Sequence, residues 1–249
     1  MTRFLLALFL LIATPLRAEE IVLGLSRGEV SITATFKGSE ILIYGAIKRD
    51  RPAPPGVLGV IIAVSGPQAP VEVRRKERRL GIWVNTDIID VDSAPTFYAV
   101  ASSGPMRDVL RDIEDLRYRI TIPRAIRSVG ATIAGSEEFT AALIRIRAAS
   151  GLYQVLEGTV GLEEESLFGT EIVLPSNLTE GSYVARIFLT RDGVVVDEYD
   201  TVIPVNKVGL ERWLYDLAHQ QALLYGLMSL VIAIGAGWGA SAVFQLLRR

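Results

Sequence analysis

The feature that most constrains this chain of 249 residues is an uncharged stretch near its C-terminus, Ala222–Phe244. At about 1.5 Å per residue, a helix of that length spans about 34 Å, which is enough to cross the hydrocarbon core of a bilayer. Trp213 and Tyr215 precede the stretch, and Arg248 and Arg249 follow it. The arginine pair predicts a cytoplasmic C-terminus, because positive flanking residues are retained on the cytoplasmic side of a membrane helix.

The first 18 residues have the pattern of a secretory signal. Arg3 supplies a positive charge, Phe4–Ala13 is an uncharged, mainly apolar run, and Pro15 follows it. As a helix that run rises only about 15 Å, so a cleaved signal is favoured over an uncleaved anchor. We expect cleavage before Glu19. Together the two apolar segments predict a single-pass inner-membrane protein with a periplasmic globular region.

The composition between the two apolar segments excludes several classes of function. In Glu19–Lys207 acidic residues outnumber basic ones, which argues against nucleic acid as a partner. The sequence contains no cysteine, and its one histidine, His219, lies beyond this region. Thiolate nucleophiles, cysteine metal sites and a Ser-His-Asp triad within the region are therefore excluded. We expect no cofactor, no metal site and no enzymatic activity.

The first part of the exported region has the patterns of β-strands. Polar and apolar residues alternate in Val30–Phe36, whereas Ile41–Ile47 and Val57–Val64 are continuously apolar, as in strands buried on both faces. Shorter strands are predicted at Leu80–Val84 and Thr96–Ala101. Strands of this length and spacing are typical of a β-sandwich.

Two helices are predicted in the middle of the chain. The first follows Pro105, and the second begins at Ser136 as N-cap and ends near Gly151. Each has apolar residues at helical spacing, which predicts a stripe that faces the core. The stripes consist of Met106, Val109, Leu110, Ile113 and Leu116 in the first helix, and of Phe139, Ala142, Leu143 and Ile146 in the second.

Strands then return in the C-terminal part of the exported region. Leu167–Leu174 is one, and Ser182–Thr190 and Val194–Val205 form a hairpin with Asp192-Gly193 in the turn. The segment before Tyr183 resembles the corner of immunoglobulin-like sandwiches, where a tyrosine hydroxyl bonds to the upstream backbone. The predicted fold is mainly β with a helical insert, an immunoglobulin-like sandwich followed by one C-terminal transmembrane helix.

The predicted organisation has seven segments. They are a signal peptide (1–18), an N-terminal β-sandwich region (19–104), a helical segment (105–152), a C-terminal β region (153–207), a juxtamembrane helix (208–221), a transmembrane helix (222–244) and a cytoplasmic tail (245–249).

The strongest candidate for a binding surface is a run with five basic residues in six positions. It could bind an anionic partner, such as lipid head groups or an acidic protein surface. The alternative is an exposed hairpin tip without a partner. The run consists of Arg74, Arg75, Lys76, Arg78 and Arg79.

Two groups of polar residues are candidate metal ligands. Asp216 and His219 share a helix face, but an interfacial role is favoured for them because no second histidine or cysteine is present. The second group offers oxygen ligands but lacks the spacing of a calcium-binding loop. A solvated loop is therefore favoured over a calcium site. That group consists of Asn85, Asp87, Asp90 and Asp92.

Small residues form two rows on the predicted membrane helix. Gly235 and Gly239 make a G-x-x-x-G, and a second row repeats every four residues. Such rows let another helix approach closely, which stabilises helix association in lipid. The second row consists of Ser229, Ala233, Gly237 and Ser241.

The arrangement resembles the alphaproteobacterial transmembrane family Alph_Pro_TM. The resemblance covers nearly the whole mature chain, and it implies no activity, since none is assigned to that family. It implies a permease similar to sulfite/organosulfonate exporters as a partner. The segments that carry it are Gly24-Leu25-Ser26, Phe36-Lys37-Gly38-Ser39, Phe139 to Arg147 with Gly151-Leu152-Tyr153, Leu167-Phe168, Leu174-Pro175, Val205 to Arg212, Leu224-Tyr225-Gly226 and Gly237-Trp238.

Three functional hypotheses follow. The leading one is a non-enzymatic, membrane-anchored binding or accessory module whose helix packs against a polytopic permease. The second is an envelope hydrolase or sugar-binding enzyme that uses carboxylates, which two facing acids in a pocket would favour. The third is a structural homodimer held by Gly235 and Gly239.

Overall fold

The computed structural model describes residues 19–26, 28–33, 36–49, 52–79, 81–127, 136–208 and 210–247. The predicted signal peptide and the Arg248–Arg249 pair lie outside the described residues. The chain divides into two units. The first contains 19–30 and Phe36–Val205, and the second contains Ser31–Thr35 and Asn206–Arg249.

The described residues form twelve strands and six helices. The strands are β1 Glu19–Leu25, β2 Val30–Ile32, β3 Ser39–Arg49, β4 Leu58–Ser65, β5 Gln68–Arg79, β6 Ile82–Pro95, β7 Tyr98–Ser102, β8 Tyr153–Leu156, β9 Gly161–Glu163, β10 Leu167–Leu174, β11 Gly181–Arg191 and β12 Val194–Lys207. The helices are α1 Met106–Val109, α2 Asp112–Tyr118, α3 Ile122–Ala125, α4 Ser136–Ala149, α5 Leu210–Gln220 and α6 Ala222–Leu247.

The strands form two larger sheets and one separate hairpin. The four-stranded sheet has the order β1-β3-β10-β9, the six-stranded sheet has the order β2-β12-β11-β4-β7-β8, and β5 pairs only with β6. Strands β7 and β8 run parallel, whereas β4 is antiparallel to both β7 and β11. A mainly β fold with a helical insert and one long C-terminal apolar helix is therefore confirmed. The immunoglobulin-like detail stays a prediction.

Strand β4 lies at the centre of the six-stranded sheet and is buried on both faces. Every residue from Leu58 to Val64 is buried, as its continuously apolar sequence predicts. The core on one of these faces combines Ile61 of β4 and Phe188 of β11 with Leu143 of α4. Burying a side chain such as Phe188 contributes about 1.5–3 kcal/mol. The insert is thus part of the core that the sheet forms.

The base of the β5–β6 hairpin belongs to the same core. Val73 of β5 lies opposite Ile89 of β6, and both are buried in this cluster together with Val91. The hairpin is therefore held at its base by hydrophobic packing.

The prediction of one continuous helix after Pro105 is wrong. Leu110 has an extended backbone, φ −142° and ψ 124°, and separates α1 from α2. The N–H of Arg111 donates to the carbonyl of Gly193 at 2.9 Å, in the turn between β11 and β12. This contact redirects the chain after α1. The periodicity of the sequence carries no information on it.

The break also changes the face that α2 buries. Ile113 and Leu116, predicted to face the core, are 60% and 55% exposed. Glu114 is buried instead, at 4% exposure, and its carboxylate lies 3.4 Å from Arg117. The helical phase predicted from Met106 is lost at Leu110, so the apolar stripe does not continue onto α2.

Two smaller predictions also differ from the structure. Ile146, assigned to the buried stripe of α4, is 60% exposed, whereas Phe139 and Leu143 are buried as predicted. The strand predicted from Leu80 begins after a turn at Gly81, where φ is +88°, and continues as the long strand β6.

The corner before β11 has the bond that the sequence predicts. The hydroxyl of Tyr183 donates to the carbonyl of Thr179 at 2.9 Å, and the ring is almost fully buried. At the other end of β11, Asp192 and Gly193 both have positive φ, 48° and 79°. A two-residue turn with that geometry matches the twist of the paired strands, so the Asp-Gly hairpin is confirmed.

In the second unit, α5 and α6 follow one another along the chain. The N–H of Val208 donates to the carbonyl of Ile32 at 2.8 Å. In α5 the imidazole of His219 stacks on Tyr215 at 4.0 Å between ring centroids, and its Nδ1 lies 2.9 Å from the Tyr215 carbonyl oxygen. The interfacial role of His219 stays a prediction.

Candidate functional site

Helix α6 is long and apolar enough to cross a bilayer. The candidate span is Ala222–Ser241, which contains no charged residue. Its side chains are not covered by the rest of the chain, and Leu223 and Trp238 are 91% and 78% exposed. Large apolar side chains exposed all round a helix require a nonpolar environment. The structure therefore agrees with a transmembrane helix.

The two small-residue rows lie on different sides of α6. Successive residues in an α-helix are about 100° apart, so positions 235 and 237 are separated by about 200°. We call Gly235 and Gly239 the glycine face. We call Ser229, Ala233, Gly237 and Ser241 the small-residue face.

In the described part of the chain, no atom lies beside the glycines of either face. A Cβ built on Gly235, Gly237 or Gly239 would meet nothing within 4 Å. Ser229 donates to the carbonyl of Tyr225 at 2.8 Å, so its hydroxyl is already satisfied within the helix. Rows of small residues such as these allow another helix to approach closely.

The predicted basic patch lies on β5, where the β5–β6 hairpin extends beyond the core. We call residues 74–88 the hairpin tip. Three of its basic residues lie opposite exposed apolar residues of β6, which the sequence analysis did not single out. The pairs are Arg74 with Ile88, Arg78 with Trp83, and Arg79 with Ile82. The signal that could have found them is the Ile-Trp pair that closely follows the basic run.

Several basic residues of the tip make ion pairs. The hydrogen bond from Arg74 holds the pKa of the Glu72 carboxyl below its ordinary value. Because both groups are exposed, this pair contributes little to stability. The ion-pair distances are 2.6 Å for Arg74–Glu72, 2.5 Å for Arg75–Glu138 and 3.5 Å for Arg79–Glu77.

An open groove of about 540 Å³ separates one side of the hairpin from α4. The Arg75 guanidinium bridges it, since it pairs with Glu138 and lies 4.8 Å from the centre of the Phe139 ring. A cation over a partly desolvated aromatic ring contributes about 0.5–2 kcal/mol. Arg75 therefore ties the hairpin to the helical insert, while Arg74 and Lys76 line the same groove and remain exposed.

The polar residues considered as candidate calcium ligands lie within a strand. Asp90 is exposed on β6 opposite Glu72, and Asn85 lies opposite Lys76. The placement of this group in a loop is thus wrong, because β6 runs from Ile82 to Pro95. Among the residues that the structure describes, no three His, Cys, Asp or Glu side chains are grouped as metal ligands.

Two acidic side chains meet on the four-stranded sheet. The hydrogen bond with Glu40, together with the negative charge of Glu40, raises the pKa of the Glu171 carboxyl. Both lie on exposed positions of neighbouring strands rather than in a pocket. A separate carboxyl, Glu198, has a pKa raised first by burial and then by the charge of Asp200.

Sequence reasoning missed a buried ion cluster at the start of β1. Glu19 is 5% exposed, and its carboxylate lies 2.7 Å from both Arg49 and Arg191. Burial alone would raise the pKa of Glu19, but the hydrogen bonds from the two arginines outweigh it and lower the pKa. Arg191 also donates to the carbonyl of Gly56 at 2.8 Å. The cluster joins β1 and β3 of one sheet to β11 of the other.

Comparisons with known proteins give a family and no activity. A family model described as "Putative transmembrane protein (Alph_Pro_TM)" matches residues 20–246. No curated protein sequence matches the chain. Among solved structures, the chain is similar to Spo0M, a sporulation control protein from Bacillus subtilis, with 10% identity and a TM-score of 0.26. That alignment covers 78% of this chain and 51% of the other chain, about half of its length. The similarity is too weak to carry any argument.

Proposed function

Because the chain belongs to the Alph_Pro_TM family of transmembrane proteins, we propose that it is a membrane-anchored accessory module. In this proposal its mainly β domain lies in the periplasm, and α6 anchors it in the inner membrane. The α6 helix packs against a polytopic permease of the sulfite/organosulfonate exporter type. The signal pattern of residues 1–18 and the C-terminal arginine pair support this orientation.

The observation that carries the proposal is the open small-residue face of α6. Lipid tails are as apolar as leucine, so helices in a bilayer associate by close packing of small residues rather than by a hydrophobic drive. A Cβ added to Gly237 would meet nothing within 4 Å, so none of the described residues fills this position on the face. A helix of a second membrane protein fits there.

Photo-crosslinking in native membranes tests the proposal. A crosslinking residue at Ser229, on the same face, should capture a polytopic permease, identified by mass spectrometry. The variant Ala233→Leu/Gly237→Leu should abolish capture because bulky side chains separate the helices. Gly235→Leu/Gly239→Leu adds the same volume to the other face and should leave capture unchanged. Recovery of neither a membrane partner nor a self-crosslink would contradict the proposal.

The same experiment separates the homodimer alternative. For this alternative the crosslinking residue is moved to Ile232, beside the glycine face. If the chain then crosslinks only to itself and Gly235→Leu/Gly239→Leu abolishes the product, α6 is a dimerisation helix. Orientation is tested by reporters fused after Arg249. We expect a fluorescent protein that folds only in the cytoplasm to be active there and alkaline phosphatase to be inactive. The opposite pattern would contradict the periplasmic placement of the domain.

The hydrolase alternative stays a prediction. Two facing acids in a pocket would favour it. Glu40 and Glu171 do face each other, but on an open sheet surface. No observation among the described residues therefore favours it as a second function.

A further inference from the structure

The hairpin tip extends beyond the domain as a long exposed arm. Val73 and Ile89 are the last buried pair, and the strands continue past them to a turn at Gly81. Arg74, Arg75 and Lys76 still line the groove against α4, so the part beyond it is residues 77–79 of β5, which add about 10 Å at about 3.3 Å per residue. An isolated two-stranded ribbon contributes little to a core, so its length requires another explanation than packing.

The end of this arm is apolar on both faces. Ile82 and Trp83 directly follow the turn and are 65% and 68% exposed. Since successive side chains of a strand point to opposite faces, these two project to opposite sides of the ribbon. Water therefore contacts an aromatic and an aliphatic side chain at the extremity of the arm.

Basic side chains surround this apolar end. Residues 74–88 contain five basic residues and two acidic ones, Glu77 and Asp87. Arg74 and Arg75 also pair with Glu72 and Glu138, which lie outside this range. Arg78 and Arg79 lie directly opposite Trp83 and Ile82, so each apolar side chain has a guanidinium as its cross-strand neighbour. Arg78 donates to the Gly81 carbonyl at 3.4 Å, which keeps its charge beside the turn. The arm thus combines an apolar end with a cationic collar.

We propose that the hairpin tip docks onto the anionic phospholipid surface of a membrane. Trp83 and Ile82 enter the interfacial layer, where amphipathic aromatic rings are favoured. The basic collar contacts lipid phosphates, and each Lys or Arg near an anionic leaflet strengthens binding. This contact does not depend on which protein, if any, packs against α6.

The distribution of apolar side chains favours lipid over an acidic protein surface. A partner that covers only one face of the ribbon leaves the apolar residue on the other face in water. A head-group layer surrounds an inserted end and covers both. Because the chain also has its own transmembrane helix, phospholipid is present at high effective concentration around the domain.

The test uses the full chain in which Trp213→Phe and Trp238→Phe leave Trp83 as the only tryptophan. The protein is reconstituted into nanodiscs of phosphatidylcholine alone or with phosphatidylglycerol. We expect a blue-shifted Trp83 emission and quenching by brominated lipid with phosphatidylglycerol only, both reversed by high salt. Lys76→Ala/Arg78→Ala should reduce the ratio of lipid-contacting to free hairpin about thirtyfold. The control Arg107→Ala/Arg124→Ala removes two exposed charges elsewhere and should leave the signal unchanged.

Three results would overturn the proposal. One is Trp83 emission that is identical in the two lipids. Another is an equal loss of signal in the control variant. The third is an emission shift that appears only when an acidic protein is added, which would assign the tip to a protein partner instead.

Discussion

Replacing Glu19 by glutamine tests how far the first unit depends on one buried carboxylate. Glutamine keeps the shape but removes the charge, which leaves the guanidiniums of Arg49 and Arg191 without their shared counter-ion. Removing one partner of a buried ion pair costs about 3–5 kcal/mol. Because Arg191 keeps the Gly56 carbonyl and Arg49 keeps the carbonyl of Glu165, we expect a loss near 3 kcal/mol.

Thermal unfolding of the full chain in detergent, followed by circular dichroism of the strands, measures this loss. For a domain of about 150–250 residues, 1 kcal/mol shifts Tm by about 2–4 °C. Glu19→Gln should therefore lower Tm by about 6–12 °C. The control is Glu20→Gln, the same change one residue along. Its partner Lys48 lies at 3.6 Å and both side chains are more than half exposed, so the expected loss is below about 1 kcal/mol.

The dependence on pH gives a second readout. The folded pKa of Glu19 lies below its ordinary value of 4.5. The stabilisation is therefore fully present above pH about 4.5 and is lost as the pH falls through the folded pKa. The difference in Tm between wild type and Glu19→Gln should shrink in acid. A difference no larger than that of Glu20→Gln at pH 7, or one unchanged in acid, would refute the reasoning.

Three further changes are checked by the same unfolding measurement. Tyr183→Phe should cost about 1 kcal/mol, because the hydrogen bond to the Thr179 carbonyl is lost. Gly59→Ala should cost about 1–3 kcal/mol, because the new Cβ would lie 2.5 Å from the Thr190 hydroxyl oxygen in a filled core. Glu171→Gln should raise Tm at pH 7, because a raised pKa means that ionising this carboxyl destabilises the fold; the gain should vanish in acid.

Each of these changes has a control of the same chemistry at an exposed position. Tyr199→Phe alters a tyrosine that is 40% exposed, Gly161→Ala adds a Cβ that meets its nearest atom at 3.7 Å, and Glu163→Gln neutralises an exposed acid. All three should change stability by less than about 0.5 kcal/mol. A variant that does not differ from its control contradicts the corresponding prediction.

The strands were predictable where local pattern and burial agree. Leu167–Leu174 alternates buried and exposed residues and is a strand with those bounds, and the apolar run before Ser65 is the buried β4. The break at Leu110 was not predictable, because a hydrogen bond to Gly193 makes it and no local pattern encodes that contact.

The candidate sites also divide into features with a local sequence pattern and contacts that only the fold creates. The basic run and the small-residue rows are visible in the sequence, since each is contiguous or periodic. That Arg78 lies opposite Trp83 can be known only from the strand register of the hairpin. The Glu19–Arg191 ion pair joins residues 172 positions apart, so only the folded chain brings them together.

The pairing of early strands with late ones governs how this protein can be made. Ile43 of β3 lies opposite Thr170, and Ile62 of β4 lies opposite Ile187, each more than a hundred positions later. Contacts so distant in sequence form slowly because a long loop must close first. The four-stranded sheet needs the chain as far as Leu174 and the six-stranded sheet needs it as far as Lys207 of 249 residues. We therefore expect the early strands to stay unpaired until most of the polypeptide has been synthesised, and unpaired strand edges are prone to aggregation.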